Sequence, residues 1–143
     1  MLLIDANVLI YSFRQDDPQH TPLHRWLREA LVSEASVGIS ELGLAALVRV
    51  LTHPRLAVAG TGLDEALKYA DWLRDHPHTV VLTPGAQHWG IFKQLCRTVA
   101  ARGNLVMDAY LAALAIENSA ELISTDGDFA RFPGLRWRHP LKA

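Results

Sequence analysis

Residues 2–11, LLIDANVLIY, place a single carboxylate, that of Asp5, between two apolar runs. A carboxylate carried into a protein interior costs several kcal/mol unless it is paired, hydrogen-bonded or bound to a cation. The run before Asp5 predicts a short buried strand over residues 2–5, and the run after it has the period of a helix. Asp5 is therefore expected at the carboxyl end of a strand, where its side chain needs a partner.

Beyond residues 2–11, strands and helices alternate along the chain. Further strands are predicted at residues 37–40, 79–83, 121–126 and 135–139, and further helices at 41–51, 63–76, 84–102 and 105–116. Another helix is predicted to start at Thr21-Pro22, with the Thr21 hydroxyl as its cap, and residues 59–62 are predicted to form a loop. Such alternation is typical of an α/β protein with a mostly parallel sheet, here of about five strands, covered by helices on both faces. Residues 1–143 are accordingly predicted to form one domain, a three-layer α/β/α sandwich.

Composition limits the classes of function. The formal net charge is -1, so RNA binding would need a local basic patch rather than an overall positive field. Cys96 is the only cysteine, which excludes an internal disulfide and a thiolate metal site and predicts a buried thiol. No apolar run is long enough to span a bilayer and Asp5 interrupts the N-terminal one, so a cytoplasmic protein without a membrane partner is expected. Only 20% of the residues are charged, which leaves apolar surface for a partner chain and favours an oligomer.

Four acidic residues fall at positions that a parallel sheet brings together. Asp5 ends the first predicted strand, Glu41 follows the second, Asp108 lies in the first turns of an apolar helix, and Asp126 ends the strand at 121–126. Ligands of open α/β sheets bind beyond the carboxyl ends of the strands. We therefore expect these four side chains to point towards one edge of the sheet, with Asp128 two residues further on.

Most of these acids also have a purely structural interpretation. Asp5 suits a helix N-cap, Glu41 suits the positive end of a helix dipole, and Asp126 with Asp128 suits an Asx turn around Gly127. Asp108 is harder to explain in this way, because most of its helical neighbours three and four residues away are apolar. Carboxylates that converge also raise one another's pKa values, and a bound cation removes that cost.

The residue types indicate which cation would fit. Oxygen ligands without cysteine, and without histidines at ligand spacing, suit Mg²⁺ or Mn²⁺ better than Zn²⁺. Mg²⁺ keeps part of its water shell and engages phosphate groups. Hydrolysis of a phosphodiester is therefore the leading hypothesis.

Four segments together resemble the PIN-domain ribonucleases, and in particular the VapC-type toxins of bacterial toxin/antitoxin pairs. The segments are LLIDANVLIY, the helix start at Ser40-Glu41, NLVMDAYLAALAI and LISTDGDF. The resemblance runs nearly from end to end and implies a PIN-like fold. It assigns catalytic and metal-binding roles to Asp5, Glu41, Asp108 and Asp126. The role of Asp128 stays open, and Asn7 is expected to orient Asp5 rather than bind metal.

The resemblance further implies a Mg²⁺-dependent endoribonuclease that is a homodimer and is inhibited by a cognate antitoxin, whose basic side chain enters the acidic pocket. Asp5 and Asp108 are expected to hold the metal and activate a water, while Glu41 and Asp126 complete the site or hold a second ion. Basic side chains on the segments next to the acids are candidates for holding the RNA substrate: Arg14, Arg97, Arg102 and Arg131.

Two other interpretations remain at this point. A phosphatase of the haloacid dehalogenase type also begins with a strand that ends in Asp and uses Mg²⁺, but it needs a second Asp where this chain has Asn7. A scaffold module that binds a structural cation would show metal binding without turnover. The three hypotheses predict different outcomes: cleavage of RNA, hydrolysis of a phosphomonoester, or metal binding without turnover.

Overall fold

A computed structural model describes residues 1–33, 35–55 and 61–142. The strands in these residues are β1 (Leu2–Ile4), β2 (Val37–Ile39), β3 (Thr79–Val81), β4 (Glu121–Ile123) and β5 (Trp137–Arg138). The α-helices are α1 (Ala6–Phe13), α2 (His20–Val32), α3 (Glu41–Leu51), α4 (Leu63–Arg74), α5 (His88–Val99) and α6 (Asn104–Glu117), and a 3-10 helix spans Gly127–Arg131. None of the helices in the described ranges has the length and apolarity that a membrane crossing needs.

The five strands form one parallel sheet in the order β3-β2-β1-β4-β5. β1 lies at the centre, with Leu2 opposite Val37 of β2 on one side and opposite Glu121 of β4 on the other. Because every strand runs in the same direction, all the carboxyl ends lie at one edge of the sheet. The predicted α/β fold with a mostly parallel sheet of about five strands is confirmed.

Helices cover both faces of the sheet, and each face has its own core. Ile4 and Ile123 belong to a core shared with α1 to α4, whereas Leu3 and Leu122 belong to a core shared with α5 and α6. Consecutive residues of a strand point to opposite faces, so two adjacent apolar residues in β1 and in β4 supply both cores. A strand buried in this way reads as a continuous apolar run, as residues 2–4 do.

Gly38 allows β2 to lie close to its neighbours. A Cβ atom at this position would lie 2.7 Å from the backbone oxygen of Leu2 and 2.7 Å from a methyl carbon of Leu82. The backbone oxygen belongs to the central strand and cannot move independently of it. Any larger side chain at position 38 therefore has to push β2 away from β1.

The helix predicted to start at Pro84 starts instead at His88. The backbone N–H groups of Gly85 and Gln87 donate hydrogen bonds of 2.7 and 3.0 Å to the carboxylate of Glu117, which holds this segment as a loop against the end of α6. The same helix ends at Val99 rather than at Arg102, because Ala100 adopts a left-handed conformation with φ 50°.

Two smaller predictions also differ from the structure, and a third cannot be compared over its full length. Helix α2 begins at His20, one residue before Thr21, and no side chain caps it. Cys96 is half-buried against the second core rather than fully buried. The predicted loop at residues 59–62 lies partly outside the described residues, which resume at residue 61.

Candidate active site

Two neighbouring strands bring two of the predicted acids to the same edge of the sheet. Ile4 of β1 pairs with Ile123 of β4, and the backbone N–H of Asp5 donates a hydrogen bond of 2.9 Å to the Ile123 carbonyl. Asp5 follows β1 directly, and Asp126 is the third residue after β4. The pairing of the two strands thus places carboxylates from opposite ends of the chain next to each other.

A buried hydroxyl group fixes the orientation of Asp5. Ser124 is 0% exposed, and its hydroxyl donates a hydrogen bond of 2.7 Å to Oδ2 of Asp5. The hydroxyl oxygen of Ser124 in turn accepts hydrogen bonds from Nδ2 of Asn7 (3.2 Å) and from the backbone N–H of Asp126 (3.0 Å). Asn7 therefore acts on Asp5 through Ser124, and Ser124 links the loop after β4 to Asp5.

The structural interpretation of Asp5 as a helix cap does not hold. Asp5 occupies the N-cap position of α1, but its side chain makes no capping hydrogen bond. The carboxylate is instead held by Ser124 and lines a cavity at the carboxyl edge of the sheet.

Three other carboxylates form the tightest acidic group in the described part of the chain. Asp108 of α6, Asp126 and Asp128 each offer an oxygen atom, and these three atoms lie within 4.8 Å of one another. The backbone N–H of Asp128 donates a hydrogen bond of 2.9 Å to Oδ1 of Asp126, so the Asx turn considered from the sequence is present. This turn brings Asp128 into the group, and the structural and functional interpretations of Asp126 are therefore compatible.

The pKa values of Asp108 and Asp5 reflect the crowding of negative charge. Burial raises the pKa of Asp108 to about 6, and the charges of Asp126, Asp5 and Asp128 add to the effect. Burial also raises the pKa of Asp5, and the charge of Asp126 adds to this, while the hydrogen bonds from Ser124 and from the Ala6 backbone oppose it. The negative charges of Asp126, Asp5 and Asp128 therefore act on Asp108 within a single site.

These donors fit a hard divalent cation. The grouped side chains offer only carboxylate oxygen atoms, which Mg²⁺ and Mn²⁺ prefer. Three oxygens within 4.8 Å are close enough to share one ion, and neutralising their mutual repulsion favours binding. Asp108, Asp126 and Asp128 are thus the residues best placed to hold such an ion, with Asp5 on the same cavity wall.

Glu41 lies apart from this group in the structure. Its carboxylate accepts a hydrogen bond of 3.1 Å from Nε of Arg74, and the Glu41 side chain is 58% exposed. The cap of α3 is supplied by the Ser40 hydroxyl, which accepts from the backbone N–H of Gly43 at 3.1 Å. To join the acidic group, the Glu41 carboxylate would have to leave its pair with Arg74.

The acids line a cavity of about 780 Å³ between α3 and α6. Asp5 and Asn7 contribute from the edge of the sheet. The two helices supply the walls: Leu42, Gly43, Ala45, Ala46 and Arg49 from α3, and Asn104, Leu105, Met107, Asp108 and Leu111 from α6. Arg49 is the one basic side chain among the described residues that line the cavity.

Sequence reasoning did not select Arg49 or Ser124, and it left Asp128 open. The four arginines predicted to hold RNA are not among the lining residues, whereas Arg49 is. The sequence of α3 contains a pattern that could have identified Arg49, because positions 42, 45, 46 and 49 have the spacing of one helical face. No comparable signal marks Ser124, since its role depends on a partner 119 residues away.

Comparison with known proteins agrees with this geometry. The sequence model of the PIN domain matches residues 2–135. Ribonuclease VapC43 of Mycobacterium tuberculosis is 40% identical over 141 residues, which covers 99% of this chain and 96% of the relative. The chain therefore belongs to the PIN domain family, and the resemblance seen in the sequence is confirmed.

Two solved structures share the fold. A toxin-antitoxin complex from Klebsiella pneumoniae includes a chain that matches with a TM-score of 0.65 at 18% identity, covering 100% of both chains. VapC20 of Mycobacterium tuberculosis, described as a toxin that cleaves the sarcin-ricin loop, matches with a TM-score of 0.68 at 18% identity, covering 95% of this chain and 99% of VapC20.

Proposed function

We propose that residues 1–143 form a single PIN-like nuclease domain that acts as the toxin of a VapBC-type pair, a metal-dependent endoribonuclease. The observation that carries this proposal is the group of three carboxylates within 4.8 Å, beside a fourth on the same cavity wall. The name of the full-length relative, a VapC ribonuclease, supports RNA as the substrate. The reaction would be hydrolysis of a phosphodiester in the cytoplasm.

Mg²⁺ is the proposed cofactor, and Mn²⁺ fits the same donors. Asp108, Asp126 and Asp128 would hold it, with Asp5 alongside, while the family resemblance keeps Glu41 as a further proposed site residue. When bound, the cation would lower the pKa of a water molecule and neutralise negative charge that develops on the phosphate oxygens.

The chain's own residues would prepare the site for this chemistry. Ser124 and Asn7 keep Asp5 in one orientation, so the carboxylate loses little freedom when substrate arrives. Asp5, held by these contacts, would be positioned to accept a proton from an attacking water.

Two protein partners belong to the proposal. The toxin-antitoxin complex from Klebsiella pneumoniae supports a cognate antitoxin, and the acidic cavity would accept a basic side chain from it. A homodimer is proposed from the family resemblance, and exposed apolar side chains such as Trp89 (61% exposed) leave surface for either contact.

The phosphatase alternative conflicts with the contacts of Asn7. Its side chain donates to Ser124 and accepts from the backbone N–H of Thr125, and an amide cannot deliver the acidic proton that a phosphatase of the dehalogenase type takes from its second Asp. Asn7 is therefore a structural support of the site.

The test is incubation of the purified protein with single-stranded RNA oligonucleotides and with p-nitrophenyl phosphate, each in Mg²⁺ or in EDTA, beside Asp108→Asn. Asp71→Asn serves as the matched control, since Asp71 is exposed on α4 and outside the cavity. RNA cleavage that needs Mg²⁺ and is lost only in Asp108→Asn supports the proposal. Turnover of p-nitrophenyl phosphate would indicate a phosphatase, and Mg²⁺ binding without any turnover would indicate a scaffold.

A further inference from the structure

The cavity is larger than a metal site requires. An ion with six waters occupies on the order of 200 Å³, whereas the cavity holds about 780 Å³. This volume is within the range of pockets that enclose a small organic ligand. The cavity therefore has room for another part of the substrate beside the cation.

One face of α3 combines an apolar surface with a positive charge. Leu42, Ala45, Ala46 and Arg49 follow the i, i+3, i+4, i+7 spacing and all line the cavity. Leu42 is 49% exposed, and Met107 on the opposite wall is 52% exposed, so two large apolar side chains contact water at this cavity. Arg49 lies seven residues beyond Leu42, about 10 Å further along the helix axis.

Arg49 carries a positive charge on the wall of the cavity. No salt bridge to Arg49 is formed among residues 1–33, 35–55 and 61–142, whereas Arg14, Arg74 and Arg138 are each paired with a carboxylate. A polynucleotide that enters an acidic cavity brings several phosphates, and the acidic group with its cation can compensate only the phosphate that reacts. A neighbouring phosphate needs a separate positive charge, and Arg49 supplies it.

We infer that the α3 side of the cavity is a subsite for one nucleotide next to the scissile phosphate, with Arg49 on its phosphate and Leu42 and Met107 against its base. The inference rests on the proposed nuclease function and adds to it a requirement for single-stranded RNA, since only an unpaired base can turn into the cavity. Arg49 and the two apolar side chains then determine which nucleotide fits beside the cleavage position.

The first experiment isolates the phosphate contact. Binding of a fluorescein-labelled, random-sequence, single-stranded RNA pool is measured by anisotropy in EDTA over a range of salt concentrations. In Arg49→Gln we expect weaker binding and a log–log salt slope shallower by about 0.7, as for one lost phosphate contact. Arg25→Gln is the matched control, because Arg25 is exposed on α2 and outside the cavity. Equal slopes for wild type, Arg49→Gln and Arg25→Gln would overturn the inference.

The second experiment isolates the base contact. Leu42→Ser and Met107→Ser should weaken binding of the same RNA pool several-fold without changing the salt slope, because they remove apolar area and no charge. Leu63→Ser is the control, since Leu63 is 58% exposed on α4 and does not line the cavity. If Leu42→Ser and Met107→Ser bind the pool as wild type does, the base does not lie between these side chains and the inference fails.

Cleavage kinetics separate this inference from the nuclease proposal. Bis(p-nitrophenyl) phosphate is a phosphodiester without a flanking phosphate, so Arg49→Gln should lower kcat/KM for RNA on the order of tenfold more than kcat/KM for this small substrate. Equal losses on both substrates would mean that Arg49 supports the acidic group instead. If wild type cleaves neither substrate but the salt slope still depends on Arg49, the nuclease proposal fails and the RNA subsite stands.

Discussion

Ionisation of the Asp108 carboxyl group makes the stability of the folded protein depend on pH. The pKa of this carboxyl group rises from 3.8 to about 6, with burial as the main cause. A carboxyl group whose pKa is higher in the folded state binds more protons when folded. Its contribution to stability is therefore present below the ordinary pKa and is lost as the pH rises through about 6.

Asp108→Asn should consequently become more stable relative to wild type as the pH rises. In the metal-free protein, we expect the difference in Tm between Asp108→Asn and wild type to grow between about pH 4 and pH 7. Over this range residue 108 acquires a negative charge in wild type but not in the variant. Thermal melting in EDTA measures this difference. Asp71→Asn, at an exposed position, is the control for loss of a carboxylate, and a constant difference for Asp108→Asn would contradict the prediction.

Ser124 and Ser12 offer a matched pair of buried hydroxyl groups. Ser124→Ala removes the partner of Asp5, Asn7 and the Asp126 backbone, so it should lower RNA cleavage strongly as well as cost about 1–3 kcal/mol of stability. Ser12 bonds to Leu9 and Tyr69, away from the cavity. Ser12→Ala should therefore lose stability while keeping the cleavage rate per folded molecule, as measured by urea unfolding and single-turnover kinetics.

At the level of elements, helix α3 shows what a sequence pattern can and cannot predict. The strand order was not predicted, but the convergence of Asp5 and Asp126 followed from parallel strands alone. Glu41 and Leu42 are neighbours, yet side chains one residue apart differ by about 100° around a helix. Leu42 and Arg49 consequently line the cavity, and Glu41 contacts Arg74 of α4. The start of α3 was predictable, whereas its rotation depends on packing.

The start of α5 shows a second limit of the same kind. Pro84 is a common residue in the first turn of a helix, and nothing close in sequence contradicts that interpretation. The competing contacts come from Glu117, 30 to 32 residues away, which binds two backbone N–H groups of the loop. The contact between the loop and the end of α6 therefore determines where α5 begins, against the preference of Pro84 for the first turn of a helix.

A pair of glycine substitutions tests how closely the strands pack. Gly38→Ala should destabilise the protein by about 1–3 kcal/mol, because the new Cβ would lie 2.7 Å from the Leu2 backbone oxygen. Gly90→Ala in α5 meets nothing within 4 Å and should stabilise the protein by up to about 1 kcal/mol through helix propensity. Urea unfolding measures both changes, and equal effects of the two substitutions would contradict this account of β2.

For the whole molecule, cation binding should appear as added stability. A ligand that binds only the folded state at about a hundredfold excess over Kd contributes about 2.7 kcal/mol, or roughly 8 °C in the Tm of a domain of this size. We expect Mg²⁺ to raise the Tm of wild type by this order and that of Asp108→Asn much less. NaCl at matched ionic strength is the control, and an equal shift with NaCl would mean that general screening, not a site, is responsible.

The hydrogen bond between Ser124 and Asp5 spans 119 positions of the chain. During translation, at about 5–20 residues per second, Asp5 leaves the ribosome roughly 6 to 24 s before Ser124 does. A nascent polypeptide therefore carries an incomplete centre for most of its synthesis. If the finished protein cuts RNA, the ribosome that makes it is not exposed to that activity until Ser124 and the acids that follow it have emerged.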